Sequence, residues 1–119
     1  MRITPETTME EMVSHIKTPN PGNLYTSEDQ FQKDAVEEYL KHLGWSYFHD
    51  KDSRKNNPGF PDLMAWRGER MLAIELKLGP KSKLSMDQYI TLHQMSLTPV
   101  EVYLWLPWED EILEALNRV

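Results

Sequence analysis

No cysteine occurs in the 119 residues. That excludes disulfides, a thiolate nucleophile and cysteine-based zinc sites, and it is compatible with a reducing, cytoplasmic setting. No run of about 18 apolar residues occurs either, so nothing is expected to span a membrane. The amino terminus has no positively charged start followed by an apolar stretch, the mark of a signal peptide. A surplus of positive charge is also missing: 13 Lys and Arg against 19 Asp and Glu leave the chain at −6. Taken alone, that balance argues against a nucleic-acid partner. Its distribution argues less strongly. Between Lys41 and Lys83 nine basic residues face five acidic ones, a net +4, whereas the remainder stands at −10.

What is present is ordinary for a globular domain: 39% hydrophobic and 27% charged residues. The length allows one domain with a real core, not two. Residues 1–26 read as an amino-terminal arm and linker, with a short helix expected between Pro5 and Ile16 and loop chemistry in Thr18–Asn23. The arm has three fates open to it: packing on the domain, reaching a second subunit, or partial disorder. The domain proper is expected to span residues 27–119.

Ser27 opens a helix, with Gln30 at the capping-box position and Glu28 and Asp29 suited to the positive helix start. Phe31, Ala35, Tyr39 and Val36, Leu40, Leu43 make its apolar face, and Gly44 is placed to end it. Glu28 and Gln32 lie one turn apart; by themselves they read as helix-start charge and a solvent-facing amide. Trp45–Asp50 reads as a strand, with His49 in a strand-end structural role, followed by a polar loop from Lys51 to Gly59. After Gly79-Pro80, Ser85 caps a second helix with Gln88 at its capping-box position. Met86, Tyr89, Ile90, His93 and Leu97 share one side of it. Val100–Leu106 is a strand stopped by Pro107, and a last helix begins at Trp108–Glu111. The order is α-β-β-β-α-β-α, which predicts an α/β fold with a mixed sheet of about four strands flanked by helices.

The centre of this pattern is the stretch Gly59–Lys77, GFPDLMAWRGERMLAIELK. Two strands, Asp62–Arg67 and Arg70–Lys77, are joined by Gly68-Glu69, where glycine supplies the positive φ of a two-residue loop. The register follows. Arg67 faces Arg70, Ala65 faces Leu72 and Leu63 faces Ile74; Trp66 faces Met71, Met64 faces Ala73 and Asp62 faces Glu75. Apolar residues fill both faces, so the strands belong to a covered sheet. One face nevertheless gathers Asp62, Glu75 and Lys77. Opposed like charges destabilise a ladder, so a cation is expected between them. Lys77 alone would make an ordinary ion-pair cluster; a divalent metal on two hard carboxylates is the alternative. Glu75 and Lys77 on a core strand would each cost several kcal/mol if buried unpaired, which favours a site.

Pro61-Asp62 followed by Glu75-Leu76-Lys77 resembles the PD-(D/E)XK pattern of metal-dependent nucleases. Gly59-Phe60-Pro61-Asp62-Leu63, Ile74-Glu75-Leu76-Lys77 and Ser85-Met86-Asp87-Gln88 resemble the VRR-NUC (virus-type replication-repair nuclease) family within that superfamily. The resemblance covers about Ser27 to Leu106. It implies a PD-(D/E)XK core and a Mg²⁺- or Mn²⁺-dependent endodeoxyribonuclease. Asp62, Glu75 and the Leu76 carbonyl would hold the metal, with Glu28 matching the carboxylate that the family's first helix supplies. Lys77 and Gln88 complete the catalytic set, and Gln32 lies within reach of the same face. Lys51, Arg54, Lys55, Lys81 and Lys83 flank the hairpin in sequence and mark the phosphate-facing surface, with Gln32 as a further DNA contact. Family resemblance also implies branched DNA, a four-way junction or flap; the two-fold symmetry of a junction would suit a homodimer, and a phage-encoded protein in a bacterial host is compatible with this. The alternative function is a catalytically inert DNA- or protein-binding module that kept the fold. A restriction-type enzyme is disfavoured, since so short a chain leaves little for a base-reading element.

Overall fold

The computed structural model describes residues 1–21, 24–49 and 58–119. Its element order is β1 (Arg2–Ile3), α1 (Met9–Ile16), α2, β2 (Ser46–His49), β3 (Leu63–Arg67), β4 (Arg70–Leu76), α3 (Met86–Ser96), β5 (Glu101–Trp105) and α4 (Glu111–Asn117). Helix α2 covers residues 28–42 as α-helical Glu28–Phe31, a π-helical stretch Gln32–Glu37, and α-helical Glu38–His42. The strands form one five-stranded sheet in the order β1-β5-β4-β3-β2. All neighbours are antiparallel except β4 and β5, which run parallel across the connection through α3.

The β3–β4 hairpin has the register its alternation dictates. Arg67 pairs with Arg70, Ala65 with Leu72 and Leu63 with Ile74. Gly68 takes φ +60° at the first loop position, as a type II′ loop requires. Leu63, Ala65, Leu72, Ile74 and Leu76 bury one face against Phe31, Val36 and Leu40 of α2 and Ile112 and Leu116 of α4. Met64 and Ala73 bury the other against Met12 and Ile16 of α1 and Leu92 of α3. Central strand β4 is thus covered on both sides, which is why it reads as a nearly unbroken apolar run.

Of the fates open to the amino-terminal arm, packing on the domain is the one seen. Arg2 and Ile3 pair with Tyr103 and Val102 at the sheet edge. Helix α1 starts at a Thr8–Glu11 capping box and buries Met12 and Ile16 completely or nearly so. Strand β1, which the sequence order did not include, is two residues long, too short to show any alternation in sequence.

Two helix faces differ from the sequence expectation. In α2 the π stretch advances the chain by an extra residue per bond, and the buried stripe becomes Phe31, Ala35, Val36 and Leu40. Tyr39, expected inside, is turned outward at 40% exposure. In α3, Leu92 is the residue that is fully buried, while Met86, Ile90 and Leu97 face solvent. Ser27 caps α2 as expected, accepting from the Gln30 amide at 3.1 Å. Gln30 does not close the box; its side chain reaches one residue further back, to Thr26. Gly44, at φ +79°, ends α2 in a Schellman arrangement: Trp45 N–H donates to the Leu40 carbonyl and Gly44 N–H to that of Lys41.

Candidate active site

Pro61 and Asp62 precede β3, and Glu75 lies one residue from the end of β4, so the hairpin register sets them side by side. Backbone hydrogen bonds cross between them. Asp62 N–H donates to Glu75 Oε1 at 3.2 Å, and Leu76 N–H donates to Asp62 Oδ2 at 2.8 Å. Lys77 continues the same face, with its Nζ 3.5 Å from Glu75 Oε2. Glu75 and Lys77 are both buried, at 3% and 6% exposure. A buried ammonium needs acceptors, and this one donates to the Lys83 carbonyl at 2.7 Å and to Gln88 Oε1 at 3.0 Å.

Gln88 joins the helix start to the carboxylates. Its Oε1 accepts from Ser85 N–H at 3.0 Å, which closes the capping box of α3, and its Nε2 donates to Glu75 Oε2 at 2.8 Å. One amide thus caps the helix and contacts Glu75 at the same time. The orientation of that amide follows from its neighbours: donors meet its oxygen, so its nitrogen faces the carboxylate.

Burial raises the proton affinity of both acids. Asp62 is pushed above the ordinary carboxylate range by desolvation, opposed by the Leu76 N–H bond and by Lys77. Glu75 is pushed well above it, first by desolvation and then by the negative charge of Asp62, with Lys77 opposing. Two adjoining carboxylates, one buried and one half-buried, with a lysine beside them are a donor set that suits a small hard cation. Among the described residues no group of three or more His, Cys, Asp or Glu is placed to hold a metal.

Gly59 sets the distance between the loop before β3 and α3. It sits at φ +86°, and a Cβ there would lie 2.4 Å from the Asp87 carbonyl oxygen. Glycine alone lets the backbone leading to Asp62 close on the first turn of α3, where Gln88 begins. The resulting cleft, about 440 Å³, is lined by Asp62, Glu75, Lys77, Lys83 and Gln88, with Glu28 from the start of α2 at its edge.

Not every candidate from the sequence joins this cleft. Gln32 is buried at 5% exposure, donates to Glu37 Oε2 at 3.0 Å across the π stretch, and is not among the residues lining the cleft. Lys81 and Lys83 are exposed on the loop beyond β4, and Lys83 borders the cleft. Lys51, Arg54 and Lys55 lie outside the described residues. His49 stands close enough to Asp62 for its charge to favour the carboxylate form.

The family model for the VRR-NUC domain matches residues 4–105. The chain belongs to the VRR-NUC family. That family is part of the PD-(D/E)XK nuclease superfamily, and the segment of this VRR-NUC chain that the model matches includes Asp62, Glu75 and Lys77. Its fold is similar to the 1.6 Å structure of Hjc, a Holliday junction resolvase from the archaeal hyperthermophile Archaeoglobus fulgidus. The match has a TM-score of 0.51 and 28% identity, and it covers 67% of this chain and 68% of that one. Among curated proteins none matches at a significant level. Family and fold together support a nuclease-type function. The matched segment takes in β1 and α1 as well as the hairpin.

Proposed function

We propose that this VRR-NUC protein is a Mg²⁺- or Mn²⁺-dependent endodeoxyribonuclease that hydrolyses phosphodiester bonds in branched DNA. The apposition of Asp62 and Glu75 beside the Lys77 ammonium carries the reading. Asp62, Glu75 and the Leu76 carbonyl would hold the ion, with Glu28 as a further ligand, direct or through water. When bound, such an ion neutralises phosphate charge and lowers the pKa of water. The chain's own residues do the rest. Lys77, fixed by Gln88 and the Lys83 carbonyl, stabilises the charge that builds on the phosphate as water attacks phosphorus and the P–O bond breaks. Gln88 keeps Glu75 turned toward Lys77 and helps to position water or substrate. Branched DNA is favoured by the likeness to a Holliday junction resolvase.

A four-way junction has two-fold symmetry, so two copies would present two sites to opposed strands. An exposed apolar patch supports such a pairing. Phe48, Trp66 and Met71 are 54%, 43% and 41% exposed on the sheet face that carries Met64 and Ala73.

The test uses four-way, flap and duplex substrates with Mg²⁺ and Mn²⁺. Glu75→Ala and Lys77→Ala are expected to lower cleavage roughly 100-fold or more; cleavage retained by both variants would remove the assignment. A second reading, an inert binding module, draws on the net charge of −6 and on the absence of a three-residue ligand cluster among the described residues. Calorimetry separates the two. A nuclease binds Mn²⁺ and loses it in Asp62→Asn, whereas an inert module gives no heat or is indifferent to the substitution.

A further inference from the structure

A second cleft, about 620 Å³, adjoins the acid site; Glu28 lines both. Tyr25, Leu78 and Pro80 give it an apolar wall, and Asn20, Ser82 and Lys81 surround that wall with polar groups. Its construction is specific. Asn20 Nδ2 donates to the carbonyls of Leu24 at 2.9 Å and Leu78 at 3.2 Å, while its Oδ1 accepts from Leu24 N–H at 3.0 Å. One side chain therefore fastens the segment before α2 to the loop after β4. Within that loop, Ser82 Oγ accepts from the amides of Leu78 and Gly79 and fixes its turn. Between these ties Tyr25 adopts φ +61°, a left-handed conformation rare for an aromatic residue. Its ring leans on the buried ring of Phe31, with centroids 5.5 Å apart. Backbone strain of this kind persists where surroundings impose it, and it gathers at ligand sites.

We propose that this cleft receives an unpaired nucleobase adjoining the scissile phosphate. The inference rests on the nuclease reading and names its substrate more closely. A flat ring with polar edges, attached to a phosphate held at Asp62 and Glu75, meets an aromatic and aliphatic wall ringed by amide, hydroxyl and ammonium groups. In a duplex the faces of each base are already stacked. Only a base freed at a branch, flap or gap can offer one to Tyr25. The cleft thereby explains how so small a chain would prefer branched DNA over duplex without reading sequence.

The experiment compares two flap substrates that differ in one nucleotide next to the cut: one carries 2-aminopurine, the other an abasic residue. The wild-type protein is expected to favour the base in kcat/KM by roughly 5- to 100-fold, the range of one base–aromatic stack. Tyr25→Asn tolerates the left-handed backbone and removes the ring, so the ratio falls toward one; Tyr25→Phe keeps it. Equal cleavage of both substrates by the wild-type protein would overturn the proposal while leaving the nuclease reading intact. Titrating the 2-aminopurine flap in EDTA decides the matter without cleavage. A fluorescence change that survives in Tyr25→Phe and vanishes in Tyr25→Asn supports the subsite, and its absence in wild type overturns it. If no DNA is cut with either metal, the nuclease reading falls and the fluorescence result still judges the cleft.

Discussion

Glu75 is the residue on which the chemistry and the stability of the protein pull in opposite directions. Burial and the neighbouring Asp62 raise its proton affinity. Above the ordinary carboxyl range the folded state therefore binds more protons here than the unfolded chain does. Stability of the metal-free protein should fall as pH rises from that range through the raised value. Glu75→Gln removes the titration. At pH 8 without metal its Tm is expected to exceed that of wild type, because the variant is spared the cost of ionising a buried acid beside Asp62. At a pH near 4 the two should converge. Mn²⁺ should reverse the order, raising the wild-type Tm and leaving the variant unmoved. Differential scanning calorimetry across pH and Mn²⁺ checks both; a variant less stable than wild type at pH 8 would contradict the account. The pairing of Asp62 with Glu75 was legible in sequence because a two-residue loop and a period of two leave one register. The third contact, Gln88 Nε2 to Glu75, could not be read that way, since it depends on how α3 returns to the sheet.

At the scale of elements, two glycines with the same left-handed backbone separate conformation from contact. Gly44 at the end of α2 has nothing within 4 Å of a would-be Cβ, whereas Gly59 has the Asp87 carbonyl oxygen at 2.4 Å. Gly44→Ala should cost only the left-handed penalty, about 1–2 kcal/mol. Gly59→Ala should add the cost of forcing packed backbone apart, about a further 1–3 kcal/mol. It should also weaken Mn²⁺ binding, which Gly44→Ala should not; denaturant melts and calorimetry on both variants give the comparison. The elements also show where sequence stops being sufficient. Helix caps at Thr8, Ser27 and Ser85 come from local chemistry and are visible as such. The π stretch of α2 is not, because it arises where tertiary packing selects Val36 and Leu40 over Tyr39. The inward side of α3 differs from the periodic expectation for a related reason: Met86, Ile90 and Leu97 share a helical side, yet it is Leu92 that the sheet buries.

For the whole molecule, charge decides how DNA is held. The chain is at −6, and the exposed Lys81 and Lys83 border the two clefts. Affinity for DNA should fall steeply with salt, since each phosphate contact contributes about 0.9 to the slope of log K against log salt. Replacing both lysines by glutamine should reduce that slope by about 2, measured by anisotropy between 50 and 200 mM salt. An unchanged slope would move the phosphate track elsewhere. The proposed pairing of two copies is tested at the same scale. Trp66→Lys on the exposed sheet face is expected to give a monomer by light scattering if copies meet there, with duplex-arm binding weakened and the fold kept.

The amide of Gln88 closes a circuit that joins the opening turn of one helix to an acidic side chain on the central strand. Fraying of that turn would thus mimic a chemical lesion, and a cation drawing Glu75 inward would be felt as slower deuterium uptake along the first amides of α3.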